Sequence, residues 1–177
     1  LEFDRESGRG LLAIPSRERL ASVLHYVLDE KEFLSPHGLR SMSRVHAERP
    51  YSLKINGEEF SAEYEPAETK HRIFGGNSNW RGPVWFPLNH LFIEVLDRYH
   101  YAFGDTFQVE CPTGSGKFMN LGAVARILRE RLASLFVPGE AGHRPCHGSC
   151  GRFAGDPHWK DLLLFHEYFH GDDGTGL

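Results

Sequence analysis

Three stretches of the chain repeat apolar residues at spacings of three and four, the period of a helix with one buried face. Leu20, Val23, Leu24, Val27 and Leu28 follow Ser16, a good N-cap, and predict a helix over about 17–31. The capping box there is incomplete, because Arg19 stands where a Glu or Gln would reach back. Leu91, Phe92, Val95, Leu96 and Tyr99 predict a second helix over about 88–103, and Pro87 suits its first turn. Leu121, Val124, Ala125, Leu128, Leu132 and Leu135 share one face of a third, over 118–136. Arg126, Arg129, Glu130 and Arg131 occupy its other face, and Pro138 stops it. A short fourth helix is expected from about residue 158, carrying Leu162, Leu163, Phe165 and Phe169.

The period switches to two between Tyr51 and Tyr64. Leu53 and Ile55 alternate with polar residues, Asn56-Gly57 follows, and Phe60, Ala62 and Tyr64 alternate again. That pattern predicts a hairpin closed by an Asn-Gly turn, with Lys54 and Glu58 exposed. The segments 1–15, 34–50, 104–117 and 137–157 read as connections broken by Gly and Pro. A loop as long as 34–50 is usually functional. No repeat of 20–50 residues is evident. Periodicity alone therefore gives a mostly α chain with one hairpin.

The 177 residues suffice for one domain with a core, and 40% apolar with 25% charged residues is ordinary for a globular chain. A formal net charge of −4 gives no electrostatic case for nucleic acid or an anionic membrane. No apolar run approaches the roughly 20 residues of a membrane-spanning helix. The opening Leu1-Glu2-Phe3-Asp4 lacks the order of a signal peptide. With no initiator Met, and a stop inside Gly174-Thr175-Gly176-Leu177, both ends read as cut from something longer. Three cysteines cannot all pair, which favours a reducing compartment, the cytoplasm.

Candidate chemistry centres on residues 74–87, where two tryptophans, an arginine and two asparagines are packed between glycines and prolines. Aromatic faces beside amide and guanidinium groups suit a sugar ring, which offers C–H faces to stack on and hydroxyls to bond. Trp80 and Trp85 read equally as core aromatics anchoring a loop. Asn77 and Asn79 either bond hydroxyls or shape the turn through their own backbone. Glu167 follows an apolar run and is flanked by His166, Tyr168 and His170. There it reads as a base tuned by desolvation or as a helix-end carboxylate in water. Gly114-Ser115-Gly116-Lys117 is not a phosphate loop, because the required Gly and Ser/Thr are Cys111 and Phe118. His143, Cys146, His147 and Cys150 are metal-ligand types, but four ligands on so short a run is unlike structural zinc. Asp172-Asp173-Gly174 lacks a calcium-loop pattern and reads as a solvated turn.

The run Gly75-Gly76-Asn77-Ser78-Asn79-Trp80-Arg81-Gly82-Pro83-Val84-Trp85 resembles a sugar-facing loop of glycoside hydrolase family 63 and its relatives. These include processing mannosyl-oligosaccharide glucosidase and the mannosylglycerate and glucosylglycerate hydrolases. The stretches 109–116, 156–161 and 166–174 resemble the same family, in order, so the likeness spans nearly the whole chain. It implies a mainly α fold: the C-terminal part of an (α/α)6 toroid, with one β-hairpin, truncated at both ends. It also implies an inverting α-glycosidase acting on glucosyl or mannosyl linkages of an oligosaccharide or glycosylglycerate-like substrate, with no cofactor and no metal. Glu167 would be the general base. Trp80, Arg81, Asn77, Asn79, Trp85, His166 and Tyr168 would face the substrate. The partner acid would lie upstream, in the remainder of the parent domain, since Asp4 has no matching context. The piece by itself would then be inactive. The rivals are a phosphorylase or lyase on the same toroid, which would need more basic residues than Arg81, and a non-catalytic carbohydrate-binding or scaffold domain.

Overall fold

The computed structural model describes residues 2–4, 9–11, 13, 15–69, 80–139 and 142–177. The three periodic stretches are helices: α1 (Arg17–Val27), α2 (Phe86–Phe103) and α3 (Leu121–Ser134). Ser16 caps α1 by accepting from the Arg19 N–H at 3.4 Å, and Asn120 caps α3 by accepting from Ala123 at 2.8 Å. Leu20, Leu24, Ile93, Leu96, Val124, Leu128 and Leu132 meet in one core. α2 lies against α3. At Gly122 on α3 a Cβ would stand 2.8 Å from the His100 ring of α2.

Among the described residues, ten short strands lie around the helices in antiparallel pairs. β1 (Glu2–Asp4) pairs with β2 (Arg9–Leu11), and β3 (Leu34–Ser35) with β4 (Gly38–Leu39). β5 (Tyr51–Ile55) pairs with β6 (Glu58–Ala62), and β8 (Gln108–Glu110) with β9 (Phe118–Asn120). β7 (Val84–Trp85) pairs with β10 (Tyr168–Phe169), a partner far along the sequence. The Asn-Gly hairpin is present as expected, with Asn56 at φ 51° and Gly57 at φ 87°.

This architecture overturns the expected mainly α toroid fragment. Three helices with several small antiparallel sheets make a mixed α/β domain. Segments read as bare connections hold strands: 104–117 opens the β8–β9 pair, and 34–50 holds β3, β4 and a 3-10 turn at Arg44–Ala47. The third helix starts at Leu121 because residues 118–120 pair with β8 instead. The expected helix from residue 158 is absent: 157–167 runs through turns and irregular chain, with Leu162, Leu163 and Phe165 exposed. A short helical turn, α4 (Arg152–Gly155), precedes it. Strands of two or three residues are too short to show a period, and the β7–β10 pair rests on a partner distant in sequence.

Candidate functional site

Two sequence motifs converge at the β7–β10 pair. Tyr168 lies opposite Trp85, and Phe169 opposite Val84. The Phe86 N–H donates to the Glu167 carbonyl at 3.0 Å, one step beyond the pair. Single bridges widen the array, Arg40 to Val84 on one side and Phe169 to Gly176 on the other. Asn89, buried at the start of α2, fixes its position: Oδ1 accepts from Leu39 N–H at 2.7 Å, and Nδ2 donates to the Leu39 and Trp85 carbonyls. The motif glycines abut as well. A Cβ on Gly171 would stand 2.5 Å from the Gly82 carbonyl oxygen and 2.6 Å from the Tyr64 hydroxyl. Backbone therefore meets backbone where the two motifs touch, and only glycine leaves that space.

The result is an aromatic ladder. Trp80 stacks on Trp85 with centroids 4.0 Å apart and planes 5° off parallel. Trp85 stacks in turn on Tyr168 at 4.6 Å. Trp85 is 6% exposed because both its faces are covered, whereas Trp80 is 51% exposed, at the open end. Of the sequence alternatives, Trp85 has the surroundings of a core residue and Trp80 those of a surface platform.

Arg81, expected to face substrate, bonds within the protein. Its Nη2 lies 2.6 Å from Oε2 of buried Glu65 and also donates to the Thr69 hydroxyl. Glu167 is exposed and sits at a bend before β10, not at the end of a buried helix. Its charge, together with burial and Glu68, pushes the Tyr168 hydroxyl above its usual range, burial being the largest cause. His166 is half-buried, with Nδ1 3.3 Å from the Leu177 carbonyl. Asn77 and Asn79 lie outside the described residues.

The sequence reading missed the support beneath this face. Arg40 is buried and bonded through all three guanidinium nitrogens. Nε donates to the Tyr64 hydroxyl at 3.1 Å, Nη1 to the Leu34 carbonyl at 2.7 Å, and Nη2 to Asp172 Oδ1 at 3.1 Å. The Tyr64 hydroxyl donates to the same Asp172 oxygen at 3.1 Å. Burial, ahead of the charges beside it, lifts the Tyr64 hydroxyl to about 12. Asp172 is thus the anchor of the final turn and not the fully solvated group expected of that turn. No signal in the sequence marks Arg40, since one arginine in a loop is ordinarily exposed.

Among the described residues, no group of three or more His, Cys, Asp or Glu is placed to hold a metal ion. Cys146 and His147 are buried in a 3-10 turn, while Cys150 is exposed. Also among the described residues, no helix is long and apolar enough to cross a membrane.

No family model matches the chain. It is 47% identical, over 171 residues, to a Saccharomyces cerevisiae protein named "Uncharacterized protein YMR196W". The match takes in 96% of this chain but 16% of the yeast polypeptide, so the chain spans about a sixth of that relative's length.

Proposed function

We propose that this chain forms the sugar-facing part of a glycoside hydrolase, with Trp80 as the stacking platform and Glu167 as the water-activating base. The observation that carries the reading is the β7–β10 pairing, which brings the two family-63-like motifs side by side. It sets an exposed carboxylate next to an aromatic ladder whose outermost ring is open. A half-exposed indole offers the apolar face that a pyranose stacks on. A carboxylate beside such a face is the kind of group that takes a proton from an attacking water. The substrate class is an α-linked oligosaccharide or glycosylglycerate-like glycoside, hydrolysed with inversion, with the partner acid supplied by another part of the polypeptide. The compartment is the cytoplasm, in keeping with three free cysteines.

The test is Glu167→Gln in the intact enzyme. Turnover falls about 10³-fold while substrate binding persists, because the amide keeps the shape and loses the proton acceptor. Unchanged turnover removes Glu167 from the reaction. Binding with no turnover even in the unaltered polypeptide replaces the hydrolase with a non-catalytic carbohydrate-binding domain. Proton NMR of the first product distinguishes inversion, which yields the β-anomer, from retention.

A further inference from the structure

Leu88, Leu91 and Val95 on α2 are 44%, 59% and 46% exposed. They fall at i, i+3 and i+7 and so share one face, which half-buried Phe92 and Tyr99 continue toward the core. α1 borders the same face. The two helices run antiparallel: the Arg17 guanidinium, at the start of α1, sits 4.4 Å over the Phe103 ring at the end of α2. At the opposite end, Val27 shares a pocket with Leu88 and Phe92. Val23, one turn before Val27, is also exposed. The groove between the helices therefore has apolar walls on both sides.

The pocket at its end holds about 190 Å³ and is closed by Phe33 and Trp85. Its polar members are already bonded within the protein. Asn89 bonds Leu39 and Trp85, the Ser41 hydroxyl accepts from the Gly82 N–H at 3.0 Å, and Arg40 holds Asp172. The pocket thus suits an apolar side chain rather than a polar ligand. Single exposed apolar residues are ordinary, but a contiguous stripe ending in an apolar pocket marks an interface. From Leu88 to Tyr99 the stripe runs about 16 Å at a helical rise of 1.5 Å per residue, about three turns.

We propose that this groove is an intramolecular interface, filled by an amphipathic helix from another part of a longer polypeptide. The matched region is 16% of the yeast relative, so most of a polypeptide of that kind lies outside it and must pack against something. An apolar knob from such a helix enters the pocket that Trp85 helps to line, which ties the groove to the aromatic ladder. The proposal stands independently of any sugar chemistry.

The experiment places a benzoylphenylalanine photo-crosslinker at position 91 in the intact natural polypeptide and identifies the joined peptides by mass spectrometry. The expected product joins residue 91 to a segment of the same molecule outside these 177 residues. In parallel, L91E combined with V95E lowers the melting temperature of the intact polypeptide by several degrees and leaves that of the 177-residue chain unchanged. The second arm separates a lost interface from a broken fold. A crosslink to the same face of a second copy, to a different protein, or to nothing overturns the proposal. So does an intact polypeptide that tolerates both charges.

Discussion

Replacing Trp80 and Trp85 separately by alanine measures how differently two tryptophans five residues apart are used. Truncating a buried tryptophan to alanine costs about 3–5 kcal/mol. Trp85 is 6% exposed and covered on both faces, so Trp85→Ala belongs in that range. Trp80 is 51% exposed and stacked on one face, so it forfeits roughly half the buried area and one aromatic pair, about 1–2 kcal/mol. Urea unfolding followed by far-ultraviolet circular dichroism reads both, without dependence on the indoles removed. The slope m should match wild type in both variants, so that midpoints report stability. Binding should show the reverse order relative to stability: Trp80→Ala weakens retention on an immobilised α-linked oligosaccharide more than its small loss of stability explains. If Trp80→Ala costs as much as Trp85→Ala and binding per folded molecule is normal, Trp80 is a core residue and has no platform role.

Arg40→Met should cost on the order of 3 kcal/mol, since it removes the buried ion pair to Asp172 and the donor to the Leu34 carbonyl, and Arg40→Lys should not restore it because one ammonium cannot span all three partners. Chemical denaturation checks this, and a lysine variant of wild-type stability refutes the network. Gly171→Ala should destabilise by about 1–3 kcal/mol through its clash with the Gly82 carbonyl, read as a lowered melting temperature; an unchanged melting temperature counts against the close backbone contact. Burial holds His37 and His147 below the usual histidine range, so the unfolded chain takes up protons first as pH drops. Stability should be level above pH of about 7 and fall below about 6.5, and His147→Phe should flatten part of that decline. At the alkaline end Tyr64 ionises near 12 in the folded chain, against about 10 unfolded, so stability should fall across that window, and less in Tyr64→Phe.

The long helices were legible because a buried face repeated over three or more turns leaves a stripe in the sequence, as Leu121 to Leu132 does on α3. Ser16 as a cap and Asn56-Gly57 as a turn were legible too, because each acts on its own neighbours. The convergence of the residue 80–85 and 166–172 motifs could be suspected only from a family likeness. Their meeting depends on two-residue strands that have no period and exist only because each finds the other. The tertiary structure alone decided which tryptophan is covered, since the two are chemically identical and differ only in what stacks on their second face. It also decided that Arg40 is buried, where Tyr64, Leu34 and Asp172 arrive from separate segments to take its hydrogen bonds. And it turned the expected helix before Glu167 into irregular chain. Leu162, Leu163 and Phe165 follow one another without a polar face, a run that fits several conformations until neighbouring elements choose one.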